Sequence, residues 1–469
     1  MSSTAPARPA QPPAVTPPPV GRPRGRTAAW LTAAAALVLV LFGGLAVGGS
    51  GAAAVPDGLS DAGPLVELGA PVVTLVGRVA AVATLGALLC AAVLLPGHAG
   101  VLTPASRRAV RGASAWASVW AAATVLGAVL TVSRLVGRPP TALPASAVRV
   151  FLADTGAGQA VLLVLGLTVL VAAAGARRCS GVPGARVLLA GALAALVVPA
   201  VLTGHSSAAE DHLFAVTTLA VHVVAASVWV GGLGALLVYG RRDESLPAAV
   251  GRFSALALLC VAATGVTGLV AASVVLGGPG AVLAAVGTGY GWLLLGKTLG
   301  LVALTALGWQ HRRRTVPQLR AGRAGAFRRF AVVELFVMLA TVALAVALAA
   351  SPPPAAAADG PASTVATPTA GAPAAPPADP MAGHDHGPLT VGVLVDDTRF
   401  HVAHPVAPGS RVTVFNGSDQ EETLTAGDGS FDLTVPAGSL TTFPAPDQPG
   451  RYAFTSRHSP AYADVLTVE

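Results

Sequence analysis

Nine stretches of this chain are long and apolar enough to cross a bilayer, which limits its fold more than any other feature. They cover roughly 28–48, 72–95, 115–136, 157–176, 186–203, 213–238, 253–276, 291–309 and 330–350. A helix needs about 20 apolar residues to span the hydrocarbon core. Inside that core each backbone N–H and C=O must be satisfied within the segment, so runs of this length read as helices. Composition agrees: 53% of the 469 residues are hydrophobic, 11% are charged, and the mean hydropathy is +0.68. Soluble domains carry about 25% charged residues. A soluble enzyme of this size and a disordered polyampholyte are therefore both excluded. No P-loop is present, which argues against an ATP-driven pump.

The net charge of +7 would suggest nucleic acid in a soluble protein. Here the arginines sit in short loops and read as topology signals, so no nucleic-acid partner is expected. Arg22, Arg24 and Arg26 precede the first run; Arg107, Arg108 and Arg111 follow the second; Arg177, Arg178 and Arg186 flank the next such loop. Arg241, Arg242 and Arg252 follow the sixth run, and seven arginines between Arg312 and Arg329 follow the eighth. All fall on one side, which the positive-inside rule makes cytoplasmic. The alternate loops carry Asp57, Asp61 and Glu67, then His205, Glu210, Asp211 and His212. The loop with Arg138 and Arg149 against Asp154 is the exception. The expected protein is a multi-pass plasma-membrane chain, N-terminus cytoplasmic and C-terminus extracytoplasmic. Residues 1–27 read as a disordered cytoplasmic tail, followed by a signal anchor rather than a cleaved signal. Cys90, Cys179 and Cys260 are scattered and read as small apolar fillers.

After the ninth run the composition changes. Residues 351–388 are rich in Pro and Ala and read as an extended linker. Residues 389–469 alternate apolar and polar positions between turn clusters such as Asn416-Gly417-Ser418, which reads as a small all-β sandwich. The fold class is thus an all-α polytopic helix bundle plus a C-terminal β domain. The bundle divides into N-terminal helices over 28–203 and a second unit over 204–350.

Polar groups inside a membrane are the informative ones, because burying them is costly. His222 lies roughly 13 Å below the outer end of its span, and Trp229, seven residues on, shares its face. It reads either as a neutral histidine bonded across helices or as a metal ligand on a permeation path. His205, Asp211 and His212 lie just outside that span as candidate capture groups, since imidazole suits copper and other late first-row ions. Lys297 enters its span to a similar depth and either snorkels outward or pairs with a carboxylate. Glu334 and Met338, four residues apart, form a stripe that is either an inner relay or plain core with Glu334 held by nearby arginines. Met381, His384 and His386 form a short metal-binding tract in the linker. No convincing nucleophile–base set appears, so an enzyme is not expected.

Spans six to eight resemble the copper resistance D (CopD) domain. The resemblance rests on His222 with Ala225-Ala226-Ser227-Val228-Trp229-Val230-Gly231-Gly232, on Arg252-Phe253-Ser254, and on Thr264-Gly265-Val266-Thr267-Gly268. Gly289-Tyr290-Gly291-Trp292 through Lys297, and His311-Arg312-Arg313-Arg314, complete it over about 210–350. It implies an inner-membrane protein that handles copper, with His222 and Trp229 as its functional positions. The C-terminal sandwich resembles a cupredoxin in Phe415–Asp419 and Pro449–Phe454. Thr455 stands where the copper cysteine belongs, Ala461 near the methionine position and Glu422 near the first histidine, while His458 is kept. A type 1 copper centre needs a thiolate, so that site is excluded. A weak site at His458, His401 or His404 stays open. The expected function is copper import or delivery through the bundle, with copper as cargo and an extracytoplasmic copper chaperone as a partner. The rival expectation is a non-transporting assembly or scaffold protein for a respiratory oxidase or an envelope copper response.

Overall fold

The computed structural model describes residues 24–49, 62–97, 99–176, 181–202, 209–241, 243–276, 278, 280, 282, 285–320, 324–351, 392–395, 399–402, 405–418, 420–459 and 461–469. Among them nine helices are long and apolar enough to cross a membrane, in the nine places read from the sequence. The expected tail (apart from 24–27), His205 and the linker tract Met381, His384 and His386 lie outside the described residues.

The spanning helices are α1 (Arg24–Gly48), α2 (Pro64–Leu89), α3 (Pro104–Val136), α5 (Gly156–Ala176), α6 (Val182–Leu202), α7 (Ala209–Tyr239) and α8 (Leu246–Leu276), then α9 (Gly289–Gln310) and α11 (Ala324–Ala349). Between them lie two short helices, α4 (Ala145–Asp154) and α10 (Val316–Arg320). Two ends relax into wider π turns, α2 at Cys90–Leu94 and α9 at His311–Thr315. Thr103 caps α3 by accepting from the Ser106 amide, and Thr288 caps α9 by accepting from the Gly291 amide.

Helix α2 is the hub, touching α3, α6, α7 and α11. Its closest approach is to α7: a Cβ on Gly86 would lie 2.0 Å from the Gly231 carbonyl oxygen, and one on Gly231 2.3 Å from that of Val82. The two backbones are thus in direct contact, which only glycine permits. The main core spreads from this contact through Leu85, Leu88, Trp229, Leu233 and Leu236 to Phe253 of α8 and Met338 of α11. Cys90 and Cys260 are buried within it, as fillers.

The C-terminal domain comprises β1 (Val393–Val395), β2 (Phe400–Val402), β3 (Arg411–Asn416), β4 (Glu422–Ala426), β5 (Asp432–Val435), β6 (Leu440–Pro444), β7 (Gly450–Thr455) and β8 (Ala463–Val468). One sheet runs β2-β1-β3-β6 and the other β5-β4-β7-β8; β1 and β3 are parallel. Val393, Val395, Val412 and Val414 of the first share a core with Leu424, Val435, Phe454 and Leu466 of the second, which makes a sandwich.

The sandwich rests on α4. Phe415 and Leu440 pack with Val132, Val136, Ala147 and Phe151. Arg411 Nη1 lies 2.9 Å from Asp154 Oδ1, and the Arg138 guanidinium lies against Gly438. Of the charges that break the arginine pattern, Arg138 and Asp154 are thus docking contacts. Their contact requires that this loop and the C-terminal domain lie on the same side of the bundle.

Overpacking the α2–α7 contact tests it. Gly231→Val should destabilise the bundle by about 3 kcal/mol, read as a lower thermal midpoint in detergent. Gly166→Val, where no atom lies within 4 Å, should leave the midpoint in place.

Candidate metal site in the bundle

His222 sits on α7 facing α8. Its Nδ1 is 3.0 Å from Thr267 Oγ1. The single Thr267 hydroxyl proton points to the Ala263 carbonyl at 2.6 Å, so the hydroxyl accepts from the ring. This assigns the imidazole proton to Nδ1 and leaves Nε2 as the nitrogen that offers a lone pair. A metal-binding histidine is held in the same way, with its second nitrogen donating to a fixed acceptor. Gly268, one residue on, clears space for the ring: a Cβ there would come within 3.3 Å of His222 Cε1. Trp229, 4% exposed, packs in the main core and does not border open space beside His222.

Two further predicted groups lie on the same helix as His222. Asp211 and His212 lie in the first turn of α7, about 15 Å up the helix from it. No group of three or more His, Cys, Asp or Glu capable of holding a metal occurs among the described residues.

Glu334 pairs with His311 rather than with an arginine. Oε2 lies 3.2 Å from Nδ1, both side chains are buried, and Phe327 stands edge-on to the ring at 4.7 Å. Met338 is fully buried one turn on. The arginines that follow have other contacts: Arg312 donates to the Ser254 carbonyl and Arg313 stacks over Trp309 at 4.1 Å.

His458 is exposed in the sandwich and donates Nδ1–H to the Glu421 carbonyl at 2.7 Å. Beside it Glu422 is 2% exposed. Its two oxygens accept from the Ser456 hydroxyl at 2.5 Å and the Ser459 hydroxyl at 2.6 Å. The amides of Thr423, His458 and Ser459 in turn donate to Ser456 Oγ. A closed carboxylate–hydroxyl net therefore ties the loop after β7 to β4. Sequence reading noted Glu422 but missed the two serines, whose spacing around His458 was the available signal. Glu422→Ala would leave the buried Ser456 hydroxyl and the half-buried Ser459 hydroxyl without their acceptor, a cost of about 1–3 kcal/mol. Amide exchange in β4 and β7 of the full chain should speed up, while exchange in β3 and β6 stays as it was.

Sequence reading also missed Arg78, the one charge in the second apolar run, which a scan for isolated charges within spans would have found. Arg78 is exposed although its backbone lies in mid-span, and Lys297 on α9 is half-buried. Among the described residues no carboxylate pairs with Lys297.

No curated protein matches the chain. Residues 247–348, from α8 through α11, match the family model for copper resistance protein D. The match begins after His222 but includes Thr267 and Gly268, which hold and accommodate it, and Lys297, His311 and Glu334. With nine helices among the described residues long and apolar enough to cross a membrane, the chain is a multi-pass membrane protein whose last three spans match the model of the copper resistance protein D family.

Proposed function

We propose that the chain imports or delivers copper across the plasma membrane, with His222 as the ligand inside the bundle. The observation that carries this reading is the hydrogen bond from His222 Nδ1 to Thr267, because it presents Nε2 as a ligand at mid-span. The second partner in that bond comes from the family-matched segment. Imidazole nitrogen suits copper in either common oxidation state. His205, Asp211 and His212 at the outer mouth, and Met381, His384 and His386 in the linker, supply capture groups on the extracytoplasmic side. An extracytoplasmic chaperone is the donor. One imidazole cannot hold copper tightly, which fits a transit ligand rather than a storage site.

The sandwich favours a second reading, a scaffold that presents copper machinery to a partner. Its Glu422–Ser456–Ser459 net fills the place where a metal site is expected, and its docking on α4 holds one face fixed.

Copper flux into proteoliposomes separates the two. His222→Ala should abolish flux while the protein stays folded and monodisperse. Thr267→Val, which removes the acceptor for Nδ1, should weaken copper binding about 10- to 100-fold, and Thr267→Ser should restore it. Unchanged flux in His222→Ala would discard the transit role and leave the scaffold.

A further inference from the structure

A groove between α3 and α5 has no part in copper transit. Its volume is about 410 Å³, within the roughly 300–1,000 Å³ of small-ligand clefts. Ser114, Ser118 and Ala121 of α3 line one wall, and Val169, Ala173 and Ala176 of α5 line the other. Gly175 brings the two helices together: a Cβ there would lie 3.1 Å from Ser114 Cβ and 3.3 Å from the Val110 carbonyl oxygen. The side chains beside that contact are small, so they leave a trough instead of filling the space between the helices. The trough opens on the outside of the bundle. Helix α5 packs on α3, α4 and α6. Ser118, Val169, Ala173 and Ala176 are exposed, while Ser114 at the floor is buried.

The two hydroxyls make no demand on a ligand. Ser114 donates to the Ala172 carbonyl at 2.5 Å, and Ser118 donates to the Ser114 carbonyl at 3.1 Å. The rest of the lining is methyl groups, which suit an apolar chain. Left empty within hydrocarbon, the trough would forfeit dispersion contacts along its length.

The polar end is set by the α3 sequence. Arg107, Arg111, Ser114, Ser118 and Ala121 follow one another in steps of four, three, four and three, so they lie along one face of the helix. Arg111 and Arg107 stand one and two turns beyond Ser114, about 5 and 10 Å along the axis. The apolar run of α3 begins near residue 115, so both belong to the membrane interface. Long side chains on a helix lean toward its N-terminus, which for α3 is away from the hydrocarbon. Both arginines are exposed, and neither forms a salt bridge among the described residues. Their neighbour Arg108 donates to the Pro104 carbonyl at 3.4 Å. Two uncompensated guanidinium groups thus stand over the end of an apolar trough, and guanidinium matches phosphate with paired donors.

We propose that the α3–α5 groove binds one anionic phospholipid, with an acyl chain in the trough and the phosphate between Arg107 and Arg111. Charge complementarity favours a lipid over a second copy of the chain. Two copies inserted alike are related by rotation about the membrane normal, which sets their arginine pairs at one height with like charges opposed.

The test uses the purified full chain in nonionic detergent, stripped of lipid and titrated with phosphatidylglycerol or with phosphatidylcholine of the same acyl chains. Native mass spectrometry counts the retained lipid, and the thermal midpoint is read with and without it. One phosphatidylglycerol per chain and a higher midpoint are expected, with weaker retention of phosphatidylcholine. Arg107→Gln and Arg111→Gln should each weaken phosphatidylglycerol binding about fivefold, the effect of one basic residue at an anionic surface. Arg107→Lys and Arg111→Lys keep the charge and should keep selectivity for the anionic lipid. Ala173→Leu fills the trough and should expel the lipid with both arginines in place. Arg252→Gln, on α8, should bind as the parent does. The lipid-free midpoint of each variant separates loss of the ligand from misfolding. Equal retention of the two lipids overturns the proposal, as does unchanged phosphatidylglycerol retention in either the double glutamine variant or Ala173→Leu. So does a parent dimer that Ala173→Leu dissociates while lipid shifts no midpoint, which would give the groove to a second copy. Copper flux is no part of the readout, so the outcome bears on the lipid site alone.

Discussion

The bundle depends on two glycines that let the backbones of α2 and α7 touch. Lipid tails are as apolar as leucine, so burial gives helices little reason to associate within a membrane. Close packing of small residues supplies that reason instead. Gly86 and Gly231 provide it at one point, and α2 then carries α3, α6 and α11 around itself. The contact also fixes the height of α7 and leaves its opposite side free to pack on α8, where Thr267 receives His222. The position of the candidate site is thus a by-product of a contact two to three turns away.

Much of this was legible from sequence. All nine spans were visible because hydrocarbon imposes a length and a polarity that leave little ambiguity, although helices run on past the apolar run, α3 starting at Pro104 and α2 at Pro64 where the runs begin near 115 and 72. The sandwich was visible as period-two alternation. His222 stood out as a polar group where polar groups are costly. The partners were harder to see. That Thr267 receives His222 depends on which faces of α7 and α8 meet, and uniformly apolar helices carry no such signal. The Glu334–His311 pair was hidden for a related reason: α9 continues as a π turn through His311, which brings the ring back against α11. The short helix α4 was also missed, because its ten residues look like a loop beside runs twice as long.

The C-terminal sandwich holds its loops with polar side chains. The loop after β7 keeps a histidine, but that histidine faces outward and donates to a main-chain carbonyl. Two serine hydroxyls and a buried carboxylate hold the loop against β4. Asn416 does similar work between β3 and β4, donating to the Gln420 and Val435 carbonyls and accepting from the Ser418 amide. Polar side chains thus set the loop geometry on their own. The face that meets α4 is apolar at its centre and charged at its edge, as a stable contact between folded units usually is.

The Thr267 hydroxyl has a role beyond holding a ring still. It accepts from His222 and donates to the Ala263 carbonyl, so imidazole, hydroxyl and main chain form one line of polarised bonds. Such chains strengthen together. A cation bound at Nε2 draws electron density from the ring and makes Nδ1–H a stronger donor. That in turn makes the hydroxyl a stronger donor to Ala263. The Ala263 carbonyl belongs to α8, the helix that packs on α7. A ligand on Nε2 would thus be felt at the α8 main chain, where the infrared band of the Ala263 carbonyl would report it.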